Sequence, residues 1–181
     1  MIENGWWLGA KKTVSPNFNQ RPPGIVPSLI VIHNISLPPG EFGGGYVEAF
    51  FLNKLNCQLH PYFVDLDGVC VSSHCFINRE GRVTQFVSFD DRAWHAGRSN
   101  FKGEEECNDF SIGIELEGTD TIPYAEPQYR VLADLTRDLM ADYPAITRER
   151  ITGHADIAPK RKTDPGPAFD WARYKNDIKT V

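Results

Sequence analysis

The run Ser28-Leu-Ile-Val-Ile-His-Asn-Ile35 is apolar and β-branched through its middle, with Pro27 before it and the turn-rich Ser36-Leu-Pro-Pro-Gly40 after it. So short an unbroken apolar run between turn signals reads as a central strand, and it carries His33 inside it. A second segment, Ser111-Ile-Gly-Ile-Glu-Leu-Glu117, alternates instead. Its period of two sends Ile112, Ile114 and Leu116 to a core face and Ser111, Gly113, Glu115 and Glu117 to a polar face that is open at Gly113.

Around these strands the pattern predicts further elements. Ser73–Asn78 and Val83–Val87 form a hairpin with Gly81 in its turn, and Asp91–Ala96 is another strand, ending at Gly97. Residues 98–109 are polar and read as a surface loop. A short helix over Tyr46–Leu55 follows the glycine-rich Gly40–Gly45 loop. Pro127 opens the clearest helix, with a stripe of Val131, Leu132, Leu135 and Leu139 that ends at Tyr143-Pro144. An apolar piece from Ile151 leads to His154, and Phe169–Ile178 reads as a C-terminal helix. Strands interrupted by flanking helices predict an α/β (α+β) domain with one central mixed sheet, whose strand order the pattern does not give. At roughly 100–200 residues per domain, the chain is expected to be a single domain over residues 1–181.

Charge and composition exclude several classes of function. With 41% hydrophobic and 24% charged residues the chain has the composition of a soluble globular domain. A net charge of −5 has the wrong sign for a protein that coats phosphate backbones, so no nucleic-acid partner is expected. Glu3 stands where a secretion signal needs positive charge, and no segment approaches a membrane span. The expectation is a cytoplasmic protein with no membrane association. Cys57, Cys70, Cys75 and Cys107 show no C-x-x-C pair and read as buried thiols; Cys57 and Cys107 are the two considered for reactivity.

The sharpest chemical signal is Gly153-His154-Ala-Asp-Ile-Ala-Pro-Lys-Arg-Lys-Thr-Asp164-Pro-Gly166, a Pro- and Gly-rich loop able to fold an imidazole and a carboxylate back to one point. Two His and one carboxylate form the ligand set of a hydrolytic zinc site, which keeps a fourth position open for an acidified water. His33 is the candidate third ligand. Of the other histidines, His60 and His74 read as hydrogen-bonded packing residues and His95 as a pocket wall.

The strings Val31–Gly44, Arg92-Ala-Trp-His-Ala-Gly97, Cys107–Asp120, and Thr152-Gly-His154 through Asp170-Trp-Ala-Arg173 resemble, nearly end to end, the AmpD-type anhydro-N-acetylmuramyl-L-alanine amidases. These belong to the zinc-dependent type 2 amidases, whose wider family includes phage lysozyme-like amidases and peptidoglycan recognition proteins. The resemblance implies a cytoplasmic enzyme of cell-wall recycling, probing soluble anhydromuropeptides as substrate and cutting the amide between the lactyl group of anhydro-N-acetylmuramic acid and L-alanine. It further implies that loss of the activity raises β-lactamase expression. It places one Zn²⁺ on His33, His154 and Asp164, the catalytic glutamate on Glu115 and a lysine on Lys162.

Physical reasoning agrees with those roles. Amide hydrolysis needs a nucleophile, a base for its proton, and positive charge at the developing oxyanion. Glu115, beside the opening at Gly113, is placed to be the base and then the acid for the leaving amine, with Glu117 as its competitor. Lys162, two residues before Asp164, aims at the oxyanion, although Lys160-Arg161-Lys162 is by default a solvated run. Asn34, Trp94 and His95 are expected at the sugar or lactyl end, Trp94 as the saccharide platform, while Trp6 and Trp7 pack. Arg161, with Arg98 and Lys102, is a candidate for the stem-peptide carboxylates. The loop from Ser36 to Gly45 is a candidate lid, and the working unit is expected to be a monomer. A recognition module that binds without cutting, or a structural zinc protein, would lack the base or carry four Cys/His ligands.

Overall fold

The computed structural model describes residues 1–179. At its centre lies a six-stranded sheet of β1 (Lys11–Lys12), β2 (Leu29–Ile35), β3 (Cys75–Ile77), β4 (Val83–Gln85), β5 (Ser111–Glu117) and β6 (Ile151–Gly153). The spatial order is β6-β2-β5-β3-β4-β1. All neighbours run parallel except β3 and β4, the hairpin turning through Gly81 at φ 79°. The sheet is therefore mixed, as expected; β2 is an interior strand between β6 and β5, one in from the edge, and the middle pair is β5 and β3.

Among the described residues four α-helices, α1 (Tyr46–Phe51), α2 (Glu126–Asp142), α3 (His154–Ile157) and α4 (Trp171–Asp177), complete the frame. The even-numbered side chains of β2 and β5, Ile30, Ile32, Ile112, Ile114 and Leu116, pack under α2 and α4 against Leu132, Leu135, Leu139 and Tyr174. Each such buried side chain contributes about 1.5–3 kcal/mol. The odd-numbered Leu29 and Val31 face the other way, into a small cluster with Phe101, Cys107 and Phe110. A third cluster of Phe50, Phe51, Phe63, Phe76 and Phe86 sits around α1.

Several expectations change. The second face of β5 is not open: Ser111, Gly113 and Glu117 are buried and only Glu115 stays half-buried. The alternation of polar residues there reflects partners rather than solvent. Helix α1 stops at Phe51 rather than Leu55, because Asn53 turns left-handed at φ 57°. The strand at Asp91–Ala93 lies outside the main sheet, paired antiparallel with Phe18–Gln20, and the polar loop contains a small hairpin of Asn100–Phe101 with Glu104–Glu105. All four cysteines are free, but only Cys75 and Cys107 are buried; Cys57 is half-buried and Cys70 is exposed on a turn after Gly68. Burial also raises the Cys107 thiol above its usual range, which removes it as a reactive group. Trp7 packs as expected, its Nε1–H donating to Asp138 Oδ2 at 2.6 Å, and Lys12 caps the Trp6 ring at 3.8 Å. Among the described residues no helix is long and apolar enough to cross a membrane.

Candidate functional site

Strand register builds the site. In the parallel β2–β5 pair His33 lies opposite Glu115, both on the face away from Ile32 and Ile114. In the β6–β2 pair Gly153 lies opposite Ile32, so the next residue, His154 at the start of α3, arrives beside His33. These are the carboxyl ends of three adjacent parallel strands, where open α/β sheets place their ligands. Asp164 returns on the loop after α3, where its carbonyl accepts from Ala155 N–H at 2.9 Å.

The three side chains meet closely. His33 Nδ1 is 2.9 Å from His154 Nδ1, and each is 3.0 Å from Asp164 Oδ2. The two imidazoles are 1% and 3% exposed and the carboxylate 14%. Their outer nitrogens are already committed. His154 Nε2–H donates to the Ala96 carbonyl at 3.0 Å, a bond that in an imidazole with one proton makes Nδ1 the bare lone pair. His33 Nε2 meets His95 Nδ1 at 2.9 Å, and His95 Nε2 meets Ser111 Oγ at 3.2 Å. A proton on each Nε2 satisfies that whole chain and again leaves Nδ1 of His33 bare. Burial holds His33 down at about 4, so the ring stays neutral. Two lone pairs and a carboxylate within 3.0 Å repel one another unless positive charge lies among them. A divalent ion with N,N,O ligands meets that need, and zinc accepts this set with one position left over.

Glu115 faces the same space. Its Oε2 is sealed from water and has no hydrogen-bond partner. Burial, followed by the Asp164 charge, raises its carboxyl well above the usual value, against the pull of Lys162. A cavity of about 410 Å³ opens here, lined by Asn34, Trp94, His95, Glu115, His154, Lys162 and Asp164 among others. Glu117 is no rival to Glu115: it lies near the end of its strand, where Oε1 accepts from Gly43 N–H at 2.5 Å and Oε2 from Arg79 N–H at 2.9 Å.

Of the residues singled out in the sequence, His33 is buried behind the cavity wall, and Arg161 lies outside the cavity. The Arg161 guanidinium instead donates to the carbonyls of Ala96 and Arg98, both at 2.6 Å. Arg98 and Lys102 do not line the cavity either. Trp94 is held by Nε1–H donation to Asn19 Oδ1 at 2.6 Å, and Asn34 Nδ2 by Asp120 Oδ1 at 2.9 Å and the Pro165 carbonyl at 3.1 Å. His74 is a packing residue, accepting from Gly113 N–H at 3.0 Å, and His60 Nδ1 accepts from Tyr62 N–H at 3.1 Å. The opening expected at Gly113 is filled by the His95 ring rather than left to a ligand.

Other contributors carry no sequence signal. Tyr62 and Phe50 form part of the cavity wall. Arg21, almost fully buried and lowered to about 10 by that burial, ties the carbonyls of Phe89, Asn108, Asp109 and Ser111. Asn108 holds the chain at residues 95 and 96. Single Arg and Asn residues in loops reveal such roles only once the loops are folded together.

Comparison with known proteins places this geometry in company. A family model described as N-acetylmuramoyl-L-alanine amidase matches residues 20–167. The 1,6-anhydro-N-acetylmuramyl-L-alanine amidase AmpD of Escherichia coli K12 is 55% identical over 175 residues, 97% of this chain and 95% of that protein. AmpD of Haemophilus influenzae is 54% identical over 178 residues, 98% and 97% of the two chains. A crystal structure of a selenomethionine AmpD derivative superposes with a TM-score of 0.96 at 52% identity, over 98% of this chain and 99% of that one. The E. coli amidase AmiD in complex with anhydro-N-acetylmuramic acid-L-Ala-D-γ-Glu-L-Lys gives a TM-score of 0.61 at 29% identity, over 87% of this chain and 60% of that one.

Proposed function

Since the chain belongs to the N-acetylmuramoyl-L-alanine amidase family, we propose that it hydrolyses the amide between the lactyl group of 1,6-anhydro-N-acetylmuramic acid and the L-alanine of the stem peptide, in peptidoglycan recycling. The observation that carries the reading is the meeting of His33, His154 and Asp164 at the wall of a cavity that Glu115 also lines. The substrate class rests on the AmpD relatives and on the ligand seated in the AmiD complex.

His33 Nδ1, His154 Nδ1 and Asp164 Oδ2 are the atoms that would hold zinc. When bound, zinc polarises the scissile carbonyl and acidifies a water to a pKa near 7. Glu115 Oε2 has no protein partner, so it is free to take the proton of the attacking water and deliver it to the leaving alanine nitrogen. A carboxyl raised by its surroundings suits both halves of that transfer. Lys162, on the cavity wall, brings its ammonium to the developing oxyanion. Trp94 offers an aromatic face to the saccharide, with Asn34 and His95 beside it on the wall. The stem-peptide end gains no cation from Arg161, whose guanidinium is already spoken for.

The working unit is one chain, acting as a single amidase domain over residues 1–181 in the cytoplasm on soluble anhydromuropeptides. Loss of the activity would leave those fragments uncut, the condition that raises β-lactamase expression. The test is mass spectrometry of products from anhydro and non-anhydro muropeptides offered together to zinc-loaded protein. Release of the L-Ala-peptide from the anhydro substrate, abolished by a chelator and restored by zinc, supports the reading. Full turnover by metal-free protein, or cleavage at another bond, sinks it.

A further inference from the structure

We infer that Asn108 is a positioning residue for the metal centre, acting through residues 95 and 96 on both metal-ligating imidazoles at once. The inference rests on the zinc reading of His33, His154 and Asp164.

The outer nitrogens of the two rings are taken by neighbouring residues of one segment. His33 Nε2 meets the side chain of His95 at 2.9 Å, and His154 Nε2–H meets the main-chain carbonyl of Ala96 at 3.0 Å. These two residues are themselves gripped by a single atom. Oδ1 of Asn108 accepts from His95 N–H at 3.1 Å and from Ala96 N–H at 2.8 Å. Asn108 is 6% exposed and does not line the cavity, so it makes no contact with substrate.

An imidazole ligand can present either nitrogen, and the partner of its outer N–H decides which one faces the ion. Here one carboxamide oxygen sets the place of both partners. Arg161 braces the same segment from its far side, through the carbonyls of Ala96 and Arg98. Loss of an outer partner of a metal ligand typically costs about 10- to 100-fold in metal affinity, and Asn108 holds two such partners in place.

The experiment is a zinc titration of the full chain against a chromophoric chelator, for the unaltered protein, Asn108→Ala, Asn108→Asp and His95→Ala. Asn108→Ala is expected to raise the zinc Kd by about 10- to 100-fold, and His95→Ala, which removes only the His33 arm, by a smaller factor in the same direction. Asn108→Asp keeps an acceptor oxygen in place and is expected to stay within about threefold of the unaltered protein. At saturating zinc, KM for the anhydromuropeptide is expected to be unchanged in Asn108→Ala. If Asn108→Ala does not fold, His95→Ala and Asn108→Asp still decide the matter. Unaltered zinc affinity in folded Asn108→Ala or in His95→Ala, with the parent protein binding zinc, overturns this inference alone. A parent protein that binds no zinc overturns both it and the proposed function.

Discussion

The imidazole of His95 occupies the space that a side chain at position 113 would need: a Cβ on Gly113 would lie 2.4 Å from both Cγ and Nδ1 of His95. The backbone of Gly113 is ordinary strand, so the glycine is there for the ring above it, and the ring is there for His33. Gly113→Ala is expected to displace His95, at an overpacking cost of about 1–3 kcal/mol. For a chain of this size that is a fall in Tm of about 2–12 °C, together with weaker zinc binding. An unchanged melting curve and zinc Kd would show that the ring does not press on residue 113.

Replacing Glu115 by Gln separates metal binding from proton transfer. Turnover is expected to fall about 100- to 10,000-fold while the zinc Kd stays within about threefold. Burial and Asp164 raise this carboxyl in the metal-free protein. A carboxyl whose folded pKa is raised destabilises the fold once pH exceeds its unfolded value of about 4.3, so metal-free Glu115→Gln is expected to melt higher than the parent at neutral pH. A lower melting point would mean that Oε2 has a partner after all.

For Lys162→Met the expected loss is about 100- to 1000-fold in kcat, with KM little changed, because the ammonium acts on charge that develops only during reaction. Steady-state kinetics at saturating zinc distinguish this from a binding role. A rise in KM with kcat intact would move the oxyanion donor elsewhere.

Glu117 ties the far end of the Ser36–Gly45 loop to the sheet through Gly43, while Arg79 stacks on Phe42 at 4.8 Å. The Gly43 and Arg79 amides are therefore expected to be protected from hydrogen exchange without any ligand, confining loop motion to residues before Gly43. Glu117→Ala removes both acceptors at a cost of about 1–3 kcal/mol and should deprotect both amides. Exchange of Gly43 at the free-peptide rate in the parent protein would restore the whole loop as a lid.

The strands and the long helix were legible because their residues pack by period: the β-branched run of β2, the alternation of β5 and the leucine stripe of α2 each bury what their pattern says. His154 and Asp164 were legible as a pair because one short loop carries both. What the alternation of β5 misread was the fate of its second face. Polarity in a strand can mean water or a buried partner, and Ser111, Gly113 and Glu117 have partners: His95 Nε2 for the Ser111 hydroxyl, His74 Nδ1 for the Gly113 N–H, and the Gly43 and Arg79 amides for Glu117. The same limit applies to Arg161. A basic run reads as solvated until a neighbouring loop brings carbonyls to meet it, and Ala96 lies 65 positions away in the chain.

His33 and His154 stand 121 positions apart, yet their ring nitrogens are 2.9 Å from each other. In the proposed zinc site, a nascent chain therefore carries His33 without its partners until β6 and the loop behind it have left the ribosome's exit tunnel.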